Sequence, residues 1–217
     1  MKWRLRDSVS VVLALLAAPV FAPELLAFPY RATSADLKVF SEVPIDRRSL
    51  DAVTAKTLAL VAASPLAEAH EQRRIFLTTG GWRWTWLALR ERDSFGLSRP
   101  GRETIVLNRS DLAADRISNG SSLGNRRSLS GTLAHEICHG MTHRRFGIGS
   151  VWTKPAWLNE GYCDHVARES SLSDADVARL TAAGQSHPAL IYYEGRRRVA
   201  AELARNHGDV DALFAAY

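Results

Sequence analysis

His135 and His139 stand four residues apart with Glu136 beside the first of them, in the run His135-Glu136-Ile137-Cys138-His139. On an α-helix, residues four apart lie one above the other, so both imidazoles face the same way and can share one metal ion. Two neutral imidazoles, an open coordination position and an adjacent carboxylate that takes the proton from metal-bound water are what a zinc hydrolase needs. Further on, Lys154-Pro-Ala-Trp-Leu-Asn-Glu-Gly-Tyr-Cys-Asp begins a new helical stretch after a proline-containing loop. Glu160 offers a third, anionic ligand. Asp164, one helical turn beyond it, can accept the free N–H of a ligating imidazole and so fix its tautomer.

These groups need two helices and a wall to set them against. Ser128-Leu-Ser-Gly-Thr carries hydroxyls able to cap a helix, and Leu129, Leu133, Ile137 and Met141 recur at about helical spacing. The motif is therefore expected on a helix with one buried face, ending in the region of Gly140, Gly147 and Gly149. Upstream, Asp46 to Ala63 has the apolar period and capping residues of an amphipathic helix, and residues 74–78 read as a strand. Trp82, Trp84 and Trp86 alternate with Arg83 and Thr85, which predicts a half-buried strand with three indoles on one face, covering the core. Ser94 to Gly101 reads as a loop, Glu103 to Asn108 as a strand, and Ser118 to Arg127 as a flexible loop at a cleft rim. Glu194 to Phe214 predicts two short helices. The fold class expected is α+β: a small twisted mixed sheet of three or four strands packed on the His-Glu helix, with a helical C-terminal part.

With Trp157-Leu-Asn-Glu-Gly-Tyr following the HExxH run, the chain resembles the gluzincin metallopeptidases, the thermolysin and aminopeptidase N superfamily (peptidase MA-like). The match is sharp over residues 130–143 and 155–165. The resemblance implies a zincin-like fold, one Zn2+ per chain held by His135, His139 and Glu160, Glu136 as general base, and Asp164 behind a ligand. Tyr192-Tyr-Glu-Gly195 is similar to the family's tyrosine three residues before a glycine, which donates to the oxyanion; Tyr192 has that position and Tyr193 is the alternative. The family also implies that the strand before the HExxH helix, here Glu103 to Asn108, is a sheet edge along which a peptide can pair. Twenty residues separate His139 from Glu160, a longer spacing than usual in aminopeptidases, and no Gly-x-Met-Glu-Asn run precedes the helix. Recognition of a free substrate amino terminus therefore does not carry over. Thr142 and Arg145 stand where a metzincin has glycine and histidine.

A chain of 217 residues, 46% hydrophobic and 24% charged, suits one domain large enough to bury a core around a metal. The net charge of +5 is spread over scattered arginines with no nucleic-acid motif, so no nucleic-acid partner is expected. Lys2, Arg4 and Arg6 precede the apolar run Ser8 to Phe28, whose one charge is Glu24. Residues 1–29 thus read as a membrane anchor or a signal peptide, with the catalytic domain, residues 30–217, on the extracytoplasmic side or secreted. Val20-Phe-Ala22 fits a cleavage site, but the Pro23 that follows favours an uncleaved anchor. Cys138 and Cys163, the only cysteines, form either a disulfide between the two ligand helices or two small buried thiols. His143 and His165 read as partly exposed residues on helix faces. The function expected is a zinc peptidase acting on a peptide or protein substrate. The rivals are a catalytically silent peptide-binding module at the membrane surface and a zinc hydrolase of non-peptide amides. The sequence carries no signal for an oligomeric state.

Overall fold

The computed structural model of the chain describes residues 10, 17–68, 72–99 and 104–217. Its centre is a five-stranded mixed sheet: β1 (Tyr30–Ser34), β2 (Leu37–Ser41), β3 (Arg73–Leu77), β4 (Gly96–Arg99) and β5 (Thr104–Leu107), in the order β1-β2-β3-β5-β4. The two outer pairs are antiparallel and the inner pairs, β2 with β3 and β3 with β5, are parallel. Parallel neighbours need a crossover, and α1 (Arg47–Ala62) supplies one of them. Asp46 caps α1 by accepting the Ser49 N–H, and Leu50, Val53, Thr57 and Val61 form its buried stripe.

The alternation of side chains along the strands divides the core in two. Leu37, Val39, Ile75, Leu77, Ile105 and Leu107 point to the face covered by α1 and by the HExxH helix, α3 (Leu129–Phe146). Phe76 and Val106, with the partly buried Phe40 and Leu97, point to the other face, where they meet Phe28, Trp84, Leu87 and Ala88. A small second sheet, β6 (Ser110–Asp111), β7 (Arg116–Ser118) and β8 (Arg126–Ser128), leads directly into α3. After α3 come a single turn, α4 (Ser150–Thr153), then α5 (Ala156–Ala167), α6 (Asp174–Ala182), α7 (Leu190–Arg205) and α8 (Val210–Ala215).

Three sequence expectations are corrected. The tryptophan stretch is a helix, α2 (Trp82–Ala88), entered through Gly80 at φ +80° and Gly81. Its inward face is Trp84, Leu87 and Ala88, spaced three and four apart, while Trp82 and Trp86 lie together on the outside. An alternating triplet of indoles contains an i, i+4 pair, so period two and helical period were both present, and the sheet face above Phe76 and Val106 selected the helix. The stretch read as a loop holds β4, antiparallel to β5, so β5 is interior and β4 is the edge. The expected loop at residues 118–127 holds over residues 119–125, which connect β7 and β8 in a short hairpin.

Of residues 1–29, read as an anchor or signal, residues 1–9 and 11–16 lie outside the described residues. Toward the carboxyl end of this stretch, residues 17–21 are helical and Pro23–Leu26 is a short 3-10 turn. No helix among the described residues is long and apolar enough to cross a membrane.

Candidate metal centre

The start of α3 is fixed by acids borrowed from elsewhere in the chain. Ser128 Oγ accepts the Gly131 N–H at 2.9 Å, while Ser128 N–H and Oγ–H both donate to Glu169. Asp115 accepts from Ser130 N–H and Oγ–H at 2.8 and 2.9 Å. Two carboxylates thus satisfy donors at the amino end of the helix, where negative charge is favoured. α3 then runs unbroken to Phe146, past Gly140, and stops at Gly147, φ +85°.

Along α3, His135 and His139 bring their Nε2 atoms to 3.1 Å from each other. From α5, Glu160 Oε2 comes to 3.3 Å from His135 Nε2 and 3.5 Å from His139 Nε2. His135 Nδ1–H donates to Asp164 Oδ1 at 2.8 Å, so its Nε2 lone pair is directed at the other two donors. Three lone-pair donors facing one another are stable only around a proton or a cation. Ligands at about 2.0–2.1 Å on tetrahedral axes stand about 3.3 Å apart, the spacing this triangle has. The donor set therefore fits a divalent ion, and among the described residues it is the only such group of three or more.

The electrostatics agree with that fit. Burial alone would push the His135 imidazole down, but Asp164 and Glu160 outweigh it and raise it to about 10. Without an ion the ring is a cation, and an ion must displace that proton. Burial likewise opposes the charge on Glu160, yet the two imidazoles hold its carboxyl far below the usual range. Glu136, buried beside them, is different: burial raises its carboxyl, with the imidazoles acting in the opposite direction. It lies against β4, where a Cβ on Gly96 would stand 2.8 Å from Glu136 Oε1. The bare glycine lets the edge strand approach the carboxylate.

Sequence reasoning had no access to Arg127. Its guanidinium, 5% exposed, reaches Asp164 Oδ1 at 2.8 Å and Glu169 Oε1 at 3.3 Å. Burial pushes Asp164 up, but Arg127 and His135 hold it below the ordinary carboxylate range, and Ser170 Oγ–H donates to its second oxygen at 2.8 Å. A linear chain of partners thus runs from Glu169 through Arg127 and Asp164 to His135. Only the adjacency of Arg127 to the Ser128 cap could have drawn attention to it.

The two tyrosines separate clearly. Tyr192 lies against the centre, its ring centroid 6.2 Å from that of His135, and burial together with the Glu160 and Glu136 carboxylates keeps its phenol protonated. Tyr193 Oη instead donates to Asp174 and accepts from Arg197. What brings Tyr192 in is the closeness of α5 and α7: a Cβ on Gly161 would fall 2.3 Å from the Gly195 carbonyl carbon, and one on Gly195 2.5 Å from Trp157 O. Gly161→Ala should therefore lower stability by about 1–3 kcal/mol, as overpacked contacts do. Denaturant unfolding of the parent and variant measures this, and equal midpoints would mean that the helices do not pack this tightly.

Cys138 and Cys163 form a disulfide between α3 and α5, with Cα atoms 5.3 Å apart. The bridge adjoins His139 in sequence and in space, Cys163 Sγ lying 3.7 Å from His139 Nδ1. Closing 25 residues in the unfolded chain contributes about 3 kcal/mol to keeping the ligand helices together. The His143 ring stacks toward His139 at 6.3 Å, and His165 is partly buried, with its imidazole pushed down by burial and by neighbouring arginines. Neither belongs to the donor triangle.

No known family model, curated protein or solved structure matches the chain.

Proposed function

We propose that the chain is a zinc-dependent peptidase of zincin-like fold, related in its site to the gluzincins and tethered to or exported across a membrane. The observation that carries this reading is the converging triangle of His135, His139 and Glu160 with the buried Glu136 carboxylate beside it. An ion held there supplies Lewis-acid polarisation of a carbonyl and a water acidified toward neutral pH. Glu136 would take a proton from a water as that water's oxygen bonds to the carbonyl carbon, and would pass the proton to the amine nitrogen as the C–N bond breaks, a role suited to a carboxyl that burial has raised. The Tyr192 O–H would donate a hydrogen bond to the carbonyl oxygen as charge develops on it. Asp164 and Arg127 hold His135 in the tautomer that ligation requires. The edge strand β4, next to Glu136, offers free backbone groups to an extended peptide. The disulfide supports an oxidising compartment, in keeping with an exported catalytic domain.

Elemental analysis of the full-length protein beside a His139→Ala variant tests the ligand set, and cleavage of a peptide library by the zinc-loaded parent tests the reaction. Near-stoichiometric zinc in the parent, its loss in the variant and chelator-sensitive cleavage are expected. A parent that holds no divalent ion in excess zinc overturns the metal centre. Zinc binding without cleavage of any peptide removes the peptidase, leaving the silent binding module or a non-peptide amide hydrolase.

A further inference from the structure

Beyond the metal centre, an apolar surface along α2 is not used by the proposed chemistry. Trp82, Trp86 and Leu89 follow one another at helical spacing along and just past the outer face of α2, and are 59%, 39% and 52% exposed. Together with Ala17, Val20 and Phe21 they enclose a groove of about 750 Å³, with Arg92 at its rim. Two large indoles and a leucine left on one face are a costly arrangement in water, and a scatter of single exposed residues does not account for it.

The opposite wall of the groove says what covers it. Ala17, Val20 and Phe21 lie in the middle of the apolar run Ser8 to Phe28. That run is tied to α2 at its end: Phe28 is buried against Phe76, and Arg83 of α2 donates to the Leu26 and Ala27 carbonyls. A bilayer that accepts the run is therefore brought against the outer face of α2, with little slack between them.

We propose that the exposed face of α2 rests in the headgroup region of a phospholipid bilayer and sets the orientation of the domain on the membrane. The proposal rests on the reading that the N-terminal run enters a membrane. Indoles have an apolar body and a polar N–H, and they favour that depth of the bilayer. Here the Arg83 guanidinium lies 4.6 Å from the Trp82 ring centroid and pairs with Glu42 at 3.5 Å, so it steadies the indole on the outer face of α2. The consequence reaches the metal centre. α2 and α3 pack on opposite faces of β3 and β5, so a bilayer beneath α2 leaves His135, His139 and Glu160 on the far side of the sheet. The substrates this orientation admits are peptides or proteins arriving from water, and chains buried in the lipid do not reach the site.

The test reconstitutes the full-length protein, and a Trp82→Phe/Trp86→Phe variant, in vesicles of phosphatidylcholine and phosphatidylglycerol. Flotation reads whether the N-terminal run holds the protein on lipid. The emission difference between parent and variant isolates the two indoles, and it is challenged with lipid brominated near the glycerol end of its acyl chains and with aqueous acrylamide. Co-flotation of both proteins is expected, with the difference emission quenched about twofold by the brominated lipid and shielded from acrylamide. Co-flotation with a difference emission open to acrylamide and indifferent to bromine overturns the proposal while the anchor stands. Shielding from both quenchers overturns it as well, and points to a protein cover, either the chain's own N-terminal residues or a second copy. Failure of both proteins to float removes the anchor reading, and the proposal with it.

Discussion

A Glu136→Gln protein is expected to bind zinc as the parent does and to lose turnover of peptide by about 10²- to 10⁴-fold, the range that a positioned general base contributes. The substitution keeps size and shape at a position packed against Gly96 and leaves His135, His139 and Glu160 untouched. What it removes is the basic oxygen. Glu136 is not a member of the donor triangle, so metal content should not fall. Single-turnover cleavage and elemental analysis on the same samples separate the two effects. A variant that cleaves at the parent's rate with full zinc would remove Glu136 from the chemistry, and one that loses zinc would show it acting on the ligands instead.

The largest stability effect should come from Arg127. Its guanidinium sits between Asp164, wholly buried, and Glu169. Arg127→Met leaves Asp164 as a buried carboxylate with one charged partner fewer, and breaking a buried pair from one side costs about 3–5 kcal/mol. The same change loosens the carboxylate that orients His135, and zinc affinity should fall by about 10- to 100-fold, as when such supporting partners are lost elsewhere. Adding Asp164→Asn to Arg127→Met removes the uncompensated charge. Most of the stability should then return while affinity stays low, because an amide orients the imidazole with less negative charge behind it. Chemical unfolding and a competitive zinc chelator provide both measurements. A single variant as stable and as tight-binding as the parent would show that the guanidinium does neither job.

Local chemistry accounts for what could be read in advance. The helix carrying His135 and His139 was legible because cap, apolar period and motif all lie within about eighteen residues and agree with one another. The start of α1 at Asp46 and the division of the tail into two helices were legible for the same reason. The tryptophan stretch was misread because Trp82 and Trp86 satisfy two periods at once, and the choice belonged to the sheet face formed by Phe76 and Val106. β4 was hidden by Gly96 and by the Pro100 and Gly101 that follow it, which mark a loop in the sequence; in the fold, Gly96 leaves room for Glu136.

By itself the sequence determined the residue types on one helical face, their four-residue spacing and the second run containing Glu160 and Asp164. These are properties of a few consecutive turns, and helical geometry translates them directly into direction. Only the tertiary structure decided that Tyr192 and not Tyr193 turns toward His135, that Cys138 meets Cys163, that β4 is the edge, and that Arg127 stands behind Asp164. Each of these depends on how far one element is rotated and shifted against another. Contacts such as Gly161 on Gly195 set that relation, and they join positions whose separation along the chain carries no record of their distance in space.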